Sequence, residues 1–188
     1  MKPYVIAEMG VNFYDTAKKL NINPLEAAKM YIDAAAEAGI DCAKFQSYKA
    51  GTIVSKNSPA YWDLTKEPTK TQYELFLKHD SFGECEYREL CKYTHDKGMD
   101  FTSTPFDYAS ADYLYDMVDF YKISSSDLSN LPFIHHIGAK GKPVFVSVGA
   151  AYLSECDEAI RALQESGCKD IVVFHCVLSY PTNPKDAN

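Results

Sequence analysis

The sequence predicts an α/β fold and, within that class, a (β/α)8 TIM barrel of which about six β/α units are present. Short apolar runs alternate with helical patterns along the whole chain, as in parallel sheets whose strands are joined by helices. The runs are apolar throughout, which predicts strands buried on both faces. Polar residues follow every run. This favours a ring of strands, because barrel enzymes carry their functional groups at the carboxyl ends of the strands.

The first third of the chain predicts two strands separated by one helix. The strands are expected over residues 4–7 and 42–45. The helix is expected over residues 24–38, because Pro24 suits a first helical turn and Gly39 suits a helix end. The chain after the first strand is expected to continue as a loop up to this helix. A second polar stretch, residues 47–70, is too long for an ordinary connection and predicts a functional loop.

The remaining two thirds give a regular alternation of helices and strands. Ser154 is a candidate N-cap of the last helix, and Gly167 a candidate end. The predicted helices cover residues 71–79, 85–97, 108–117, 131–139 and 153–165, and the predicted strands cover residues 101–103, 120–123, 144–146 and 171–174.

A doubly wound open sheet is the competing architecture for such an alternation. The dinucleotide-binding form of that fold carries a GxGxxG turn after its first strand, and neither this motif nor a Walker A sequence occurs here. Open sheets also place ligands chiefly at one switch point. Polar residues at the end of every predicted strand therefore fit a barrel better.

Composition narrows the class of protein. The net charge of −7, from 19 basic and 26 acidic residues, argues against nucleic acid as a partner. It leaves an anionic substrate open, because a site can be locally positive on an acidic protein. The six cysteines form no CxxC pair, and the N-terminus does not resemble a signal peptide. With no apolar run long enough for a membrane, we expect a cytoplasmic protein with reduced thiols.

The polar residues at the strand ends predict an anion site. Two lysines, Lys44 and Lys122, lie within predicted strands, where a buried and unpaired ammonium is costly. Two cations with nearby hydroxyls suit a phosphate and a carboxylate. The alternative for each lysine is that it pairs with a barrel glutamate or extends to solvent. The other strand-end candidates are Glu8, Gln46, Thr104, Ser124, Ser125 and Ser147, with Asp127 in the following loop.

Six motifs occur in the order found in sialic acid synthases, and the chain resembles that family over essentially its whole length. Each motif alone is weak evidence, but six in order at matching β/α positions are specific. They are IAEMGVN at residues 6–12, AKFQ at 43–46, STPFD at 103–107, YKISS at 121–125, GKP with SVG within 141–149, and HC with YP within 175–181.

The resemblance implies a transferase of sialic acid and carbohydrate biosynthesis. In that family the metal-bound aldehyde of an open-chain N-acyl-amino sugar, N-acetylmannosamine or a relative, is attacked by C3 of phosphoenolpyruvate. Water adds at C2, and phosphate leaves with cleavage of the C–O bond, giving a nine-carbon 2-keto acid. The metal, manganese or magnesium, would activate the carbonyl as a Lewis acid.

The resemblance also implies roles for individual residues. Glu8 would transfer a proton or position water, and Lys44 would be catalytic as well. Phosphoenolpyruvate would be held by Lys44, Thr104, Lys122, Ser125 and Ser147. The sugar or the reacting carbons would be faced by Glu8, Gln46, Phe106, Asp127 and Tyr180. Three positions depart from the family: Phe13 replaces a histidine, Leu178 replaces a small polar residue and Asp127 replaces a glutamate.

The resemblance further predicts the domain content. Residues 1–188 would be the N-terminal part of the synthase barrel, without strands seven and eight and without the C-terminal antifreeze-like domain. The metal-binding histidines of the family come from those two strands, so no metal ligand is expected in this chain. Because six units leave a barrel open, we expect the isolated chain to be inactive. The resemblance implies that the full-length enzyme is a homodimer. The alternatives are a non-catalytic partial barrel that binds a sugar or a partner, and a related phosphoenolpyruvate-dependent synthase of polysaccharide biosynthesis.

Overall fold

The computed structural model describes residues 2–187, and the chain divides into two compact units, residues 1–118 and 119–188. Each unit contains a three-stranded parallel sheet, β1-β2-β3 in the first and β4-β5-β6 in the second. The α/β class and the parallel strands are therefore as predicted. In neither sheet does a strand follow its predecessor directly, because each pair is joined through helical structure.

The first unit contains three strands and six helices within its described residues. In chain order they are β1 (Ile6–Gly10), α1 (Phe13–Leu20), α2 (Pro24–Glu37), β2 (Cys42–Ser47), α3 (Ala50–Ile53), α4 (Gln72–Leu77), α5 (Glu84–Asp96), β3 (Asp100–Pro105) and α6 (Tyr108–Tyr113). A 3-10 turn, Leu114–Asp116, follows α6. The core of this unit includes the fully buried rings of Phe13, Phe45 and Phe101.

The second unit alternates strands and helices more evenly. In chain order it has β4 (Tyr121–Ile123), a 3-10 turn (Ser125–Asp127), α7 (Leu131–Gly138), β5 (Val144–Ser147), α8 (Leu153–Glu165), β6 (Ile171–Phe174) and a second 3-10 turn (Pro184–Asp186). Helices α7 and α8 pack closely, since a Cβ on Gly138 would lie 2.8 Å from the Cβ of Ser166. The imidazole of His135 forms a 2.7 Å hydrogen bond with the hydroxyl of Ser166 at the same junction.

Helix α2 shows why local signals placed it well. Pro24 begins the helix, and the side chain of Asn23 accepts a 2.8 Å hydrogen bond from the Leu25 amide. Gly39 follows its end with a φ of +71°, a conformation that an L side chain rarely adopts. By contrast, α1 lies in a stretch predicted as loop. Its eight residues bury Phe13, Tyr14 and Ala17 on one face, a pattern too short to be distinctive.

Three further expectations are corrected by the structure. Ser154 lies inside α8, which is capped at Tyr152, where the Tyr152 amide donates to the Glu155 carboxylate at 2.8 Å. The predicted loop 47–70 includes the short helix α3. Burial on both faces is wrong for β1, where Glu8 is exposed, and for β6, in which no residue is fully buried, whereas the strands β3 and β4 are almost entirely buried. In β6, the side chains of Val172 and Val173 are exposed.

Two chain-wide expectations can also be checked. All six cysteines, from Cys42 to Cys176, are free thiols, as predicted. Within residues 2–187 we find no helix both long enough and apolar enough to cross a membrane.

Candidate functional site

The first sheet gathers four of the predicted site residues, Glu8, Lys44, Gln46 and Thr104, which we call the Lys44 cluster. The parallel register places Glu8 beside Lys44, and Gln46 beside Thr104. The Lys44 ammonium pairs with the Glu8 carboxylate, and the Gln46 amide donates to the other Glu8 oxygen at 3.4 Å. For Lys44, therefore, the alternative of pairing with a strand glutamate is correct.

Burial differs sharply within this ion pair. The side chain of Lys44 is only 11% exposed, whereas that of Glu8 is 49% exposed. The carboxylate thus neutralises a buried ammonium on one side and faces solvent on the other. Such a group is accessible to a substrate or to water while it is held in a fixed position.

Tyr87 of α5 contacts the end of β2 at Gln46. The Tyr87 hydroxyl donates a 2.5 Å hydrogen bond to the backbone carbonyl of Gln46. Tyr87 is almost completely buried, and this burial raises the pKa of its phenol well above the usual value, so the hydroxyl stays a donor. In the next residue of β2, the Ser47 hydroxyl shares a 2.6 Å hydrogen bond with that of Ser103 in β3.

Thr102 was not predicted as a site residue, although the structure places it in the same row. It stands in register with Lys44, which is itself in register with Glu8, and it is fully buried. Thr102 and Thr104 are two residues apart on β3 and share a face. On β3 the prediction considered only the last polar residue, and a period-two search backwards from Thr104 would have found Thr102.

Phe106 lies just beyond β3 and is half-buried. Its backbone amide donates to the Ser47 carbonyl at 3.1 Å, and its ring centroid is 6.1 Å from that of Tyr48. These contacts hold the Phe106 backbone beside the end of β2, where Gln46 also lies.

The second unit contains a separate group of predicted residues, Lys122, Ser125 and Ser147, which we call the Lys122 cluster. The Lys122 ammonium donates two hydrogen bonds of 2.6 Å, one to the Ser147 hydroxyl and one to the Ile123 carbonyl. Lys122 is 6% exposed, and its burial lowers the pKa of the ammonium to about 8. Within residues 2–187 no carboxylate pairs with it, in contrast to Lys44.

The two remaining serines lie in the turn that follows β4. The Ser125 hydroxyl accepts a 3.0 Å hydrogen bond from the Gly149 amide, which ties this turn to the end of β5. Ser124 caps the turn and accepts from the Ser126 hydroxyl at 3.0 Å. Ser124 therefore has a structural role.

Asp127 and Tyr180 are less closely associated with the Lys122 cluster. Asp127 is half-buried, and burial raises the pKa of its carboxyl, although a 3.2 Å hydrogen bond from the Ser126 hydroxyl partly opposes that shift. Tyr180 is 89% exposed, so the structure does not pack it against the other predicted residues. Leu178, two positions earlier, is exposed as well.

The described residues also bear on the predicted metal. Among residues 2–187, no three His, Cys, Asp or Glu side chains lie close enough together to hold a metal ion. The side chains that are present therefore do not form a metal site. The requirement for manganese or magnesium stays a prediction, and the metal ligands would be residues other than those described.

Comparison with known proteins decides the family. The model of the NeuB family matches residues 31–188, which is most of the chain. The chain belongs to the NeuB family. This confirms the predicted kinship with sialic acid synthases, whose relatives in the family include synthases of several sugar acids.

Three relatives show how close the match is. An N,N'-diacetyllegionaminic acid synthase from Legionella pneumophila is 33% identical, over 100% of this chain and 52% of that protein. An uncharacterised protein from Methanocaldococcus jannaschii is 35% identical, over 98% of this chain and 49% of its own length. The crystal structure of N-acetylneuraminic acid synthetase from Leptospira borgpetersenii superposes with a TM-score of 0.82 at 30% identity, covering 98% of this chain and 57% of that one. This NeuB-family chain thus spans about half the length of the curated relatives it matches.

Proposed function

We propose that this NeuB-family protein is a phosphoenolpyruvate-dependent synthase. It condenses phosphoenolpyruvate with an open-chain N-acyl-amino sugar, N-acetylmannosamine or a relative, and releases phosphate and a nine-carbon 2-keto acid. Membership of the family supports the class of reaction, and the names of the relatives, a legionaminic acid synthase and a sialic acid synthetase, support a sugar acid as product.

The observation that carries the proposal is the environment of Lys122. Among the described residues its buried ammonium contacts only neutral groups: the Ser147 hydroxyl, the Ile123 carbonyl and the ring of Phe174, 5.6 Å away. Burial of a cation without an opposite charge is unfavourable, and the lowered pKa of Lys122 reflects this cost. A phosphate or carboxylate group bound here would supply the missing negative charge. Phosphoenolpyruvate carries both.

The Ser147 hydroxyl strengthens this anion site. An ammonium has hydrogens to donate and no lone pair, so the Ser147 oxygen is the acceptor in its hydrogen bond with Lys122. The hydrogen of that hydroxyl is then directed elsewhere. An anion beside Lys122 would receive one hydrogen bond from the ammonium and another from Ser147, and charge-assisted bonds of this kind are the stronger ones.

The Lys44 cluster fits the acid–base part of the reaction. Glu8 is fixed by Lys44 and Gln46 and is half exposed, so it suits proton transfer or the orientation of attacking water. The Thr104 hydroxyl would assist Lys44 in holding phosphoenolpyruvate. We assign Gln46, Phe106, Asp127 and Tyr180 to the sugar by family resemblance.

The architecture and assembly belong to the same proposal. The six β/α units would be part of a (β/α)8 barrel. A divalent metal would be bound by residues other than those described, where it would polarise the sugar aldehyde. The active form would be a homodimer.

Release of phosphate from phosphoenolpyruvate tests the proposal. The full-length gene product is assayed with manganese and N-acetylmannosamine, and in parallel with a related diamino sugar. We expect release that requires both acceptor and metal and that is lost in Lys44→Ala, while the exposed control Lys19→Ala keeps it. Release with the diamino sugar alone would keep the reaction and change the acceptor. A folded protein that releases no phosphate with any acceptor would favour the non-catalytic sugar-binding alternative.

A further inference from the structure

Gly149 lies at a crowded junction in the second unit. It is buried, and a Cβ built on it would lie 3.0 Å from the Ser125 hydroxyl oxygen, 3.0 Å from Cγ of Leu178 and 3.2 Å from Cβ of Cys176. Contacts this short are rare for real side chains. Three elements thus meet where a methyl group would require its neighbours to move by a few tenths of an ångström: the turn after β4, the end of β5 and the segment after β6.

The same glycine fixes the hydrogen-bonding role of Ser125. The Gly149 amide donates to the Ser125 oxygen at 3.0 Å, so this hydroxyl is an acceptor towards the protein. A serine hydroxyl has one hydrogen to donate. With its oxygen engaged by the amide, that hydrogen is directed away from Gly149 and is available to a ligand.

Ser147 lies two residues before Gly149 in the chain. Its hydroxyl is polarised in the same way, by the Lys122 ammonium. In each case a donor of the protein occupies a lone pair of the serine and leaves the O–H for the anion. Both donors come from backbone or side chains that are buried, which keeps the two hydroxyls oriented before a ligand arrives. Preorganised donors of this kind bind anions without a cost of reorganisation.

We propose that Gly149 is a positioning residue for phosphoenolpyruvate: its missing side chain and its amide together hold the Ser125 hydroxyl as a donor to the bound anion. This inference rests on the proposed function, because it presumes that the Lys122 cluster binds phosphoenolpyruvate. Gly149 would act through Ser125 and would not itself contact the reacting atoms.

A double-mutant cycle on the full-length protein tests the inference, with the affinity for phosphoenolpyruvate measured by calorimetry. Ser125→Ala and Gly149→Ala are each expected to weaken binding about tenfold, the size of one hydrogen bond to a charged group. If Gly149 acts through Ser125, the double variant binds no more weakly than either single variant. Gly51→Ala is the matched control, because a Cβ at Gly51 meets nothing within 4 Å.

The clash with Leu178 provides a second control. Leu178→Ala removes that contact and leaves the one with Ser125, so it is expected not to restore binding to Gly149→Ala. Restoration by Leu178→Ala, additive losses in the double variant, or unchanged binding in Gly149→Ala would each overturn the inference. A wild-type protein that binds no phosphoenolpyruvate would instead overturn the proposed function on which it rests.

Discussion

The ammonium of Lys122 lies 2.6 Å from the hydroxyl oxygen of Ser147 and has no carboxylate partner among the described residues, whereas the ammonium of Lys44 is paired with Glu8. The two lysines both lie within apolar strands, so the sequence does not distinguish them. Their electrostatic environments are nevertheless different. One is compensated within the protein, and the other is left for a ligand to compensate. The first prediction follows from this difference.

Binding of phosphoenolpyruvate is expected to weaken at alkaline pH because Lys122 loses its proton. With a pKa of about 8 in the free protein, the dissociation constant rises towards about tenfold per pH unit above that value. In Lys122→Met, binding at pH 7 is expected to be at least about tenfold weaker and nearly independent of pH. Titration calorimetry between pH 7 and 9.5 measures both effects. Cys176→Ser removes a neighbour that raises the pKa of Lys122, so it is expected to keep the wild-type slope but to move its onset to lower pH.

The lowered pKa of Lys122 also makes the unfolding free energy of the protein depend on pH. The unfolded chain holds the Lys122 proton more tightly than the folded chain, so the buried cation opposes folding below pH 8. That opposition is removed as the pH rises from about 8 towards the ordinary lysine value of about 10.5. The unfolding free energy of wild type is therefore expected to increase relative to that of Lys122→Met across this window. A constant difference between the two proteins would contradict the assigned pKa.

Glu8→Gln is expected to separate binding from turnover. Glutamine keeps the shape of the side chain but removes the charge that neutralises Lys44. Lys44 then attracts an anion more strongly, so the KM for phosphoenolpyruvate falls, while kcat falls by about 100-fold or more through loss of the proton-transfer group. The exposed Glu37→Gln is the control in the same steady-state assay. An unchanged kcat would remove Glu8 from the mechanism.

Tyr87→Phe tests the support beneath the Lys44 cluster. It removes the 2.5 Å hydrogen bond to the Gln46 carbonyl at a nearly inaccessible position. We expect a loss of about 1–2 kcal/mol in unfolding free energy, the usual range for a buried group deprived of a partner. Tyr61→Phe, at an exposed tyrosine, is expected to have no effect. Equal urea midpoints for the two variants would show that the Tyr87 hydroxyl does not support the strand.

Ala150→Gly is expected to stabilise the protein. Ala150 has a φ of +54°, where a non-glycine residue is strained by about 1–2 kcal/mol. Glycine relieves that strain but adds entropy to the unfolded chain, so the net gain is about 0.5–1 kcal/mol. Asn21 has a φ of 55°, and asparagine tolerates this region, so Asn21→Gly is expected to gain less. A gain in Asn21→Gly equal to that in Ala150→Gly would show that Ala150 is not strained.

The parts of the fold that could be predicted are those with local signals. Helix α2 has a proline at its start and a glycine after its end, and α8 and β6 were placed at the residues where the structure has them. Helix α1 was missed because three buried residues in a stretch of eight do not distinguish a helix from a loop. The exposure of β6 was missed because the apolar character of a strand does not reveal what covers it.

The site could be predicted as a list but not as an arrangement. Residue types at the strand ends identified both lysines, yet only the register shows that Glu8 compensates Lys44, and only the fold shows that Ser147 contacts Lys122. Thr102 and Gly149 carry no distinctive chemistry of their own. Their positions at the two clusters are visible only in the fold, where Thr102 lies in register with Lys44 and Gly149 donates to Ser125.

The most direct test of the central claim follows the bridging oxygen of phosphoenolpyruvate. The full-length protein is supplied with phosphoenolpyruvate labelled with 18O between C2 and phosphorus, with metal and an N-acyl-amino sugar, and the released phosphate is analysed by mass spectrometry. The account predicts that release depends on the sugar and that the phosphate retains the label, because the C–O bond breaks after water adds at C2. Unlabelled phosphate, or release without sugar, would contradict it, since either result indicates hydrolysis or transfer at phosphorus.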